Sequence, residues 1–485
     1  MNQFHYSLMK IKLFKFILII IFLSPLSVFS KDIIFGIPQN PQNINPLYAR
    51  DAASEKITDL VYEKIFNYNE QYTLTSKFVS WKNINDLVFV FTAKSHSSKF
   101  SNGREVLLKD LYFSIKKNHH DPLSKYFEDL KNIQHISLNG SIIEIRLKKP
   151  DPLFIEKLSL PILPYDLDNL KIDLSQSSLG SNQFQIISNK PLILLRKDGI
   201  RIKFEEVKDP SVRALKLINK EIDLLQNDLS LPIINYLERQ HQIKTHSSPG
   251  TNVSYIGFNH QHELLKDPVV RKAIAHAINR EEIIKFFFNK DTQPASQILS
   301  QKHWSSSNQS PHKYNPQLSK NLLIDAGYKL PLSLEFKTST DTFRIKIATI
   351  LKAQLEAIGI NLKIISLDWG TFFKDIQNGD FQLYSLTWVG LKSPDIYKKI
   401  FHSNMIPPFG LNRGLLQDEK IDNLIKESYD KKNWDSALEY IHQRVLIYPL
   451  WYEGNFMASL DTICDFQLTE DGSWIGLNNI RLCHD

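Results

Sequence analysis

The sequence predicts an α/β protein that contains several domains with mixed β-sheets. Three observations support this fold class. The chain has 485 residues, which is more than a single hydrophobic core usually holds. A strand–helix–strand pattern lies between residues 332 and 364, and separate strand patterns lie between residues 88 and 147. Regions rich in strands therefore alternate with α/β regions along the chain.

The clearest of these patterns runs from residue 332 to residue 388. Its first segment alternates apolar and polar residues, as in a half-buried strand, and the next has apolar residues at the spacing of one helix face. Gly359 is a typical helix end. A second alternating segment follows, so the two strands should be parallel and joined by the helix. The predicted elements are a strand over 332–336, a helix over 343–358 with Ile345, Ala348, Leu351, Leu355 and Ile358 on its buried face, a strand over 360–364, a helix over 371–377 and a strand over 381–388.

Two other regions carry local signals of secondary structure. Asp267 followed by Pro268 is a typical helix start, with the aspartate as the N-cap and the proline at the first helical position. Residues 88–92 and 142–147 have the composition of strands. These strands are expected to belong to a separate sheet in the N-terminal part of the chain.

The first 30 residues have the features of an export signal. Three lysines precede an apolar run over residues 16–23, which is shorter than the ~20 residues that a membrane-spanning helix needs. Val28 and Ser30 occupy the positions that a signal peptidase reads, so residues 1–30 should be removed and Lys31 should begin the mature chain. An uncleaved membrane anchor is the alternative. No cysteine lies near this site, so a lipid anchor is not expected and the periplasm is the predicted compartment.

The composition is that of an ordinary soluble globular protein. The formal charge of +7 includes the three lysines of the export signal, so the mature chain carries about +4. The basic residues are scattered, and nucleic acid is not an expected partner. Cys464 and Cys483 are the only cysteines of the chain, and in an exported protein they are expected to form a disulfide. Two free thiols are the alternative.

The sequence contains no motif typical of an enzyme. The histidine pairs His119–His120 and His260–His262 lack the spacing and the glutamate of a zinc peptidase. The cysteines do not have the spacing of a zinc or redox motif. We therefore expect no catalytic residue, no metal site and no cofactor. A secreted hydrolase is the alternative from another functional class.

Several segments form an ordered set of motifs along the chain. They are residues 100–106 with 109–115, 219–223, 257–259, 266–280, 354–360, and 378–381 with Trp388. In this order they resemble the family 5 extracellular solute-binding proteins, the dipeptide and oligopeptide receptors of ABC importers. Taken singly, the motifs are typical of turns and of helix packing. The resemblance therefore identifies an architecture and says little about the solute.

The resemblance implies a two-lobed periplasmic-binding-protein fold of type II, with mixed sheets, a hinge and an extra β-rich subdomain. By analogy, the core of the first lobe consists of residues 31–56, 166–255 and 450–485. A β-rich insertion over residues 57–165 belongs to the same lobe, and residues 256–449 form the second lobe. In this family the ligand lies between the lobes.

The resemblance also implies which residues line the cleft. Trp369 and Trp388 lie near predicted strand ends, where α/β sheets bind ligands, and both match aromatic positions of the oligopeptide receptors. The expected ligand-binding residues are Arg50, Asp51, Tyr126, Trp369, Trp388 and Gly390, together with Asn412 and Arg413, which could contact an acidic or carbonyl group of a ligand that has no free amine. Core packing or a solvent-exposed charge is the alternative interpretation of each residue.

One position departs from the family pattern. In peptide-binding relatives, an aspartate after the second cleft tryptophan pairs with the α-amino group of the peptide, and Leu391 occupies the matching position here. A buried ammonium group without a counter-charge is costly. Either Asp395 or Asp51 replaces that aspartate, or the ligand has no free amine there. We expect the second case, with a blocked peptide, a modified cell-wall peptide or another amphiphilic solute as candidates.

The predicted function is that of the periplasmic substrate-binding component of a peptide-type ABC import system. Such a protein captures a peptide or a related solute and delivers it to a membrane permease. A receptor for a non-peptide solute of the same family, such as a metal complex, haem or an amphiphile, is one alternative, and a receptor that senses its ligand without transport is another. The protein is expected to be a monomer and not an enzyme.

Overall fold

The computed structural model describes residues 32–69, 71–175 and 178–483. The predicted export signal over residues 1–30 lies outside the described residues. Among the residues that are described, no helix has both the length and the apolar character needed to cross a membrane.

The elements alternate along the chain as follows. The strands are β1 (Ile33–Ile37), β2 (Asn67–Tyr68), β3 (Leu74–Thr75), β4 (Val79–Asn85), β5 (Val88–Ala93), β6 (Ile133–Asn139), β7 (Ile142–Leu147), β8 (Phe184–Asn189), β9 (Leu192–Arg196), β10 (Arg201–Glu206), β11 (Leu224–Gln226), β12 (Ile243–Ser248), β13 (Val253–Phe258), β14 (Gln293–Pro294), β15 (Leu332–Ser339), β16 (Ile360–Leu367), β17 (Leu383–Trp388), β18 (Tyr448–Tyr452), β19 (Asn455–Leu460), β20 (Ile463–Cys464) and β21 (Arg481–Leu482). The helices are α1 (Ala52–Val61), α2 (Leu108–His120), α3 (Phe127–Leu130), α4 (Leu167–Leu170), α5 (Pro210–Ile218), α6 (Leu231–Leu237), α7 (Pro268–Ala277), α8 (Arg280–Phe287), α9 (Pro316–Asp325), α10 (Thr342–Glu356), α11 (Trp369–Asn378), α12 (Asp395–Phe401), α13 (Glu419–Lys431) and α14 (Asp435–Arg444).

The first large sheet has seven strands in the order β12–β19–β11–β1–β10–β9–β8. The central strand β1 is buried and pairs in parallel with β10 and β11. The outer pairs are antiparallel. The carboxyl ends of β1, β10 and β11 therefore lie at one edge of the sheet, which is where α1 follows β1 and where ligands of α/β sheets usually bind. We call the domain around this sheet the first lobe.

The second large sheet has six strands in the order β14–β18–β13–β17–β15–β16. The strands β15 and β16 are parallel, which confirms the predicted strand–helix–strand unit. The helix α10 buries Ile347, Ala348, Leu351 and Leu355, so Ile347 lies in the core in place of the predicted Ile345. The N-cap Asp267 accepts a hydrogen bond from the backbone of Val269, which confirms the predicted start of α7. We call this domain the second lobe.

A smaller antiparallel sheet with the order β4–β5–β7–β6 is inserted after α1. Its strands β5 and β7 are those predicted over residues 88–92 and 142–147. The helix α2 packs against β6 and β7. We call this domain the insertion.

The chain crosses between the large sheets in two short loops of the described part. One loop joins β12 to β13, and the other joins β18 to β19. The predicted domain boundaries, 255/256 and 449/450, lie inside β13 and β18. Residues 253–255 and 450–452 were therefore predicted for the first lobe but pair within the second sheet. On the side of the second sheet, both crossovers adjoin the wholly buried strands β13 and β18, so the predicted boundaries fell inside these strands.

The family motifs form buried contacts that hold the architecture together. Asp110 is fully buried, receives bonds of 2.8 and 3.1 Å from the guanidinium group of Arg104, and accepts the backbone N–H groups of Leu107 and Tyr165. The buried Arg271 donates to the backbone carbonyls of residues 265, 266, 444 and 445. These contacts agree with a structural interpretation of the motifs.

The predicted disulfide is present. Cys464 and Cys483 are joined, and the bond lies where β20 pairs with β21. The disulfide closes a loop over residues 465–482, and Asp471 of this loop pairs with Lys392 of the second lobe.

Candidate ligand cleft

The two crossovers meet a C-terminal loop where the lobes join, and we call this region the hinge end of the cleft. The backbone carbonyl of Asn252 accepts the N–H of Glu453 (2.8 Å), and its side-chain Oδ1 accepts the N–H of Gly390 (3.1 Å). On the first lobe, Nδ2 of Asn227 donates to Oδ1 of Asn455 (3.0 Å). The segment that follows β17 therefore lies directly beside the crossovers.

The wall of the second lobe contains a stack of aromatic rings and one guanidinium group. The ring of Trp369 stacks on Phe373, with centroids 5.8 Å apart and planes 18° apart. The guanidinium carbon of Arg413 lies 5.2 Å from the ring centroid of Phe373 and 4.8 Å from that of Trp388. The ring of Trp388 then stacks on Tyr255 at 5.7 Å and 9°. We call these five residues the aromatic–arginine stack.

Local structure explains how the two tryptophans reach this wall. Trp369 is the first residue of α11, directly after β16, and Oδ1 of the N-cap Asp368 accepts the backbone N–H of Thr371 (3.1 Å). Trp388 is the last residue of β17. Because β15, β16 and β17 run in the same direction, both tryptophans lie at the carboxyl edge of the sheet. The side chain of Trp369 is 60% exposed, so it offers a free ring face.

Arg413 is buried without a carboxylate partner. Its Nη1 donates to the hydroxyl of Tyr255 (3.3 Å), and no ion pair joins it to another described residue. Within the described part of the chain, neither Nε of Arg413 nor Nε1 of Trp388 has a hydrogen-bond partner. Cation–π contacts with two rings hold the guanidinium group in place. Both of these donors are buried, so an acceptor can reach them only if the side chains of this wall move.

The remaining predicted residues of the second lobe have different surroundings. Asn412 is fully buried, and its amide group bonds the backbone of its own loop at His402 and Leu416, so it positions the neighbouring Arg413. Gly390 is exposed and has φ of +67°, a conformation that favours glycine. Leu391 packs partly against the core of the second lobe.

Polar side chains lie at the same edge of the second sheet. The carboxylate of Glu453 accepts hydrogen bonds from the hydroxyls of Ser254 (2.6 Å) and Thr387 (3.1 Å). Nη2 of Arg344 donates to the same hydroxyl of Thr387 (3.1 Å). This cluster joins the end of β17 to the crossover after β18.

The predicted residues Arg50, Asp51 and Tyr126 lie where the start of α1 meets the segment around Lys125. Asp51 is the N-cap of α1, and its carboxylate accepts both the backbone N–H and the hydroxyl of Ser54. Arg50 is exposed and donates to the backbone carbonyl of Leu123 (3.0 Å). The predicted residues Arg50 and Asp51 therefore stabilise local structure at the start of α1.

Ion pairs cover the exposed turn of α1. Glu55 pairs with Lys125 (3.2 Å), and Asp59 pairs with Lys64 (2.7 Å). Burial and the neighbouring carboxylates, including Asp59 and Glu55, raise the pKa of Tyr126 well above its usual value. Tyr126 packs partly against the core of the insertion and carries a neutral hydroxyl.

Ion pairs also join the lobes at both ends of the cleft. At the hinge end, Lys392 of the second lobe pairs with Asp471 of the first lobe (2.6 Å). At the far end, Lys399 of the second lobe pairs with Asp129 of the insertion (3.0 Å) and with Asp395 (3.3 Å). A cavity of about 870 Å³ lies beside this second contact and is lined by charged residues of the insertion and of the second lobe.

Asp395 is fully engaged at the far end of the cleft. Its Oδ1 accepts the hydroxyl of Tyr429 (2.6 Å). Burial raises the pKa of Asp395, but the ammonium groups of Lys399 and Lys157 outweigh burial and lower the pKa overall. The nearby Glu156 differs, because burial raises its pKa to about 7.

The histidine pairs bond to the backbone. Nδ1 of His119 and of His120 each contact a backbone carbonyl, and Nε2 of His260 contacts the carbonyl of Leu446 (2.9 Å). Burial lowers the pKa of His260 to about 3. In the described ranges, no three histidine, cysteine, aspartate or glutamate side chains are placed to hold a metal ion.

The structure thus brings together Trp369, Trp388 and Arg413 and places Gly390 beside them at the hinge end. Asn412, Arg50 and Asp51 do not join this group. Their polar side-chain atoms form hydrogen bonds with neighbouring segments of the chain. Sequence reasoning missed Phe373 and Tyr255, whose spacing within α11 and β13 is that of core residues. It also missed the lysines of the first lobe, which no local motif marks.

The chain is similar to known proteins over most of its length. The sequence profile of the bacterial extracellular solute-binding proteins, family 5 Middle, matches residues 78–401. The oligopeptide-binding protein AppA of Bacillus subtilis is 25% identical over 478 residues, which cover 88% of this chain and 87% of that protein.

Solved structures share the fold. The periplasmic binding protein DppA of Helicobacter pylori, in complex with the peptide STSA, is 22% identical with a TM-score of 0.75 over 94% of this chain and 98% of that chain. NikZ of Campylobacter jejuni, in complex with Ni(L-His), is 21% identical with a TM-score of 0.75 over 93% and 99% of the two chains. The same fold therefore accompanies different ligands.

Proposed function

Because the chain belongs to the bacterial extracellular solute-binding proteins of family 5, we propose that it is the receptor of an ABC importer and takes a peptide or a peptide-like solute into the cleft between its lobes. Members of this family are receptors rather than enzymes, so its task is reversible capture. The closed form then docks on a membrane permease. The proposed lobes are those predicted from sequence, with the two boundaries moved to the crossovers.

The main support for this proposal is that the aromatic–arginine stack lies beside the exposed residues 389 and 390. The ladder of β17 ends at Trp388, and Val389 and Gly390 are exposed beyond it. An extended peptide can add its backbone to such a segment, while aromatic faces contact its side chains. The predicted Trp369, Trp388, Gly390 and Arg413 are therefore the residues of the second lobe that we assign to the ligand. Tyr126 is assigned to the opposite wall.

The proposed location is the periplasm, reached through a cleaved signal peptide, and the proposed state is a monomer. N-terminal sequencing of the exported protein should find Lys31 as the first residue. An exported form that retains residues 16–23 would contradict this part of the proposal. Size-exclusion chromatography with light scattering should give the mass of a single chain.

The proposal is tested by capture from a peptide mixture. The purified mature protein is incubated with a tryptic hydrolysate of casein, separated from unbound peptides and analysed by native mass spectrometry. We expect a mass increase equal to that of a short peptide, which is released and sequenced after denaturation. Absence of bound peptide would contradict the proposal, and a co-purifying metal complex or haem would support the non-peptide alternative.

A further inference from the structure

Lys56 has an unusual position at the hinge end of the cleft. It lies on α1, and its Nζ is 5.2 Å from the ring centroid of Trp474, which belongs to the C-terminal loop. Trp474 is itself buried in the core of the first lobe. The ammonium group is therefore held at the base of the cleft wall rather than in open solvent.

Three carboxylates on α1 and on the C-terminal loop are paired with lysines other than Lys56. Lys125 pairs with Glu55, Lys64 pairs with Asp59, and Lys392 pairs with Asp471. Within the described part of the chain, no ion pair is formed by Lys56. Burial lowers the pKa of Lys56, and the negative charges of Asp228 and Asp471, which act to raise it, do not outweigh burial.

Among the described residues, no carboxylate lies within ion-pair distance of this ammonium group, and the charges of Asp228 and Asp471 only partly offset its burial. Removing it from water is costly unless an anion replaces the lost hydration, and contact with one aromatic ring offsets only part of that cost. The second lobe contains Arg413, which also has no carboxylate partner among the described residues. Each lobe thus holds a cation whose charge an anionic group of a solute can balance.

We infer that Lys56 is the counter-charge for a carboxylate of the ligand, so that the receptor selects anionic peptides or peptide-like acids. This inference rests on the proposed function and adds the chemical class of the solute. The carboxylate can come from the C-terminus of a peptide or from an acidic side chain. In either case it lies near Trp474 at the hinge end of the cleft.

The test compares two forms of one peptide mixture. Casein hydrolysate is used as such and after all carboxylates have been converted to methylamides. The wild-type protein should capture peptides from the first mixture and at least about tenfold less from the second. Equal capture from both mixtures would overturn the inference and leave the proposed function intact, whereas no capture from either would overturn both.

Variants of Lys56 show whether this residue causes the preference for peptides with free carboxylates. Lys56→Met should bind the captured peptides about tenfold more weakly or worse and should no longer distinguish the two mixtures, whereas Lys56→Arg should keep the preference. Lys208→Met is the matched control, because the side chain of Lys208 is 82% exposed on the same lobe. Circular dichroism and melting temperatures show whether each variant is folded, and Lys56→Arg keeps the test valid if Lys56→Met does not fold. An unchanged preference in folded Lys56→Met would overturn the inference.

Synthetic peptides then distinguish the two sources of the carboxylate. The most abundant captured peptide is made with a C-terminal amide, and separately with each acidic side chain replaced by its amide. Calorimetry should show a loss of affinity for one of the two forms in the wild-type protein, and no such loss in Lys56→Met. Wild-type affinity for both neutral forms would overturn the inference.

Discussion

The aromatic–arginine stack concentrates the ligand-facing chemistry of the second lobe in a few side chains. The guanidinium group of Arg413 lies between the rings of Phe373 and Trp388, which fix its plane without using its hydrogen-bond donors. A planar cation held in this way donates to a carbonyl or carboxylate with little loss of conformational freedom. The exposed ring of Trp369 extends the same surface toward solvent.

Replacement of Trp369 by alanine should weaken ligand binding far more than it destabilises the protein. The ring is 60% exposed, so the free energy of unfolding should fall by less than about 1 kcal/mol. Loss of a stacking face should raise the Kd for a captured peptide about tenfold. Phe286→Ala is the control, because Phe286 is 61% exposed on α8 of the same lobe. Equal effects of the two variants on the calorimetric Kd would contradict the assignment of Trp369.

Acetylation of the peptide N-terminus should change the affinity by less than about threefold. Leu391 offers no charge, Asp51 caps α1, and Asp395 bonds Tyr429 and Lys399. Receptors that bury a paired ammonium group lose about 2–5 kcal/mol when the pair is broken. Calorimetry with free and acetylated forms of one captured peptide measures the difference. A strong preference for the free amine that persists in Asp51→Asn and Asp395→Asn would show that the interpretation of Leu391 is wrong.

At this scale the sequence predicted the residues that family motifs mark and missed those that depend on tertiary contacts. Trp369 and Trp388 were predicted from the resemblance and Arg413 from the lack of an aspartate at position 391, and the structure brings the three together in the aromatic–arginine stack. Lys56 carries no signal in the sequence, because its lack of a partner depends on where Lys64, Lys125 and Lys392 lie in the fold. Pairing of side chains from distant segments cannot be read from local composition.

Among the elements, the C-terminal loop connects the disulfide to the hinge end of the cleft. The loop closed by Cys464 and Cys483 carries Asp471, which pairs with Lys392, and Trp474, which contacts Lys56. A covalent closure of this loop limits the positions that both residues can adopt in the folded protein. The predicted bond therefore stabilises a part of the candidate site as well as the chain terminus.

The protein should contain no alkylatable thiol before reduction, which intact-mass analysis with iodoacetamide measures. The double variant Cys464→Ser/Cys483→Ser should lose about 3 kcal/mol of unfolding free energy, because the sequence separation of the cysteines is 19 residues. Urea unfolding followed by circular dichroism gives this value. Two alkylated thiols in the unreduced protein, or unchanged stability of the variant, would contradict the expectation.

Regular elements with clear periodicity were predicted well, and the crossovers were not. The strand–helix–strand unit around α10 has strict alternation and a helix-ending Gly359, so its elements could be located from the sequence. The boundaries at β13 and β18 were each displaced by three residues into the strands. Both strands are wholly buried, and a continuous apolar strand gives no sign of which sheet it joins.

On the scale of the whole molecule, charged groups close both ends of the cleft between the lobes. Lys392–Asp471 lies at the hinge end, and Lys399–Asp129 lies at the far end between the second lobe and the insertion. Ion pairs between lobes hold a closed arrangement with modest strength, since partly exposed pairs contribute little. Such contacts suit a receptor that must open again to release its solute.

Buried neutral histidines should make the folded protein less stable as the pH falls. Burial lowers the pKa of His260 to about 3 and that of His303 to about 4. Because the unfolded chain binds protons near pH 6.5, each histidine removes up to about 1.4 kcal/mol of stability per pH unit between roughly pH 6.5 and its folded pKa. Glu156 acts in the opposite sense. Its pKa is raised from 4.5 to about 7, so its contribution to stability is fully present below about pH 4.5 and is lost as the pH rises to 7.

Urea unfolding at several pH values between 4 and 7 measures this dependence. His303→Gln should reduce the slope of unfolding free energy against pH in this range, whereas the exposed His135→Gln should leave it unchanged. A slope of His303→Gln equal to that of the wild-type protein would contradict the account of this histidine.

The proposed function requires that the cleft between the two lobes holds a peptide. A crystal structure of the mature protein with a peptide captured from hydrolysate shows whether it does. We expect density for the peptide between the segment that follows Trp388 and the helix α1, with a carboxylate near Lys56. An empty cleft at saturating peptide, or peptide density on an outer surface of either lobe, would contradict the claim.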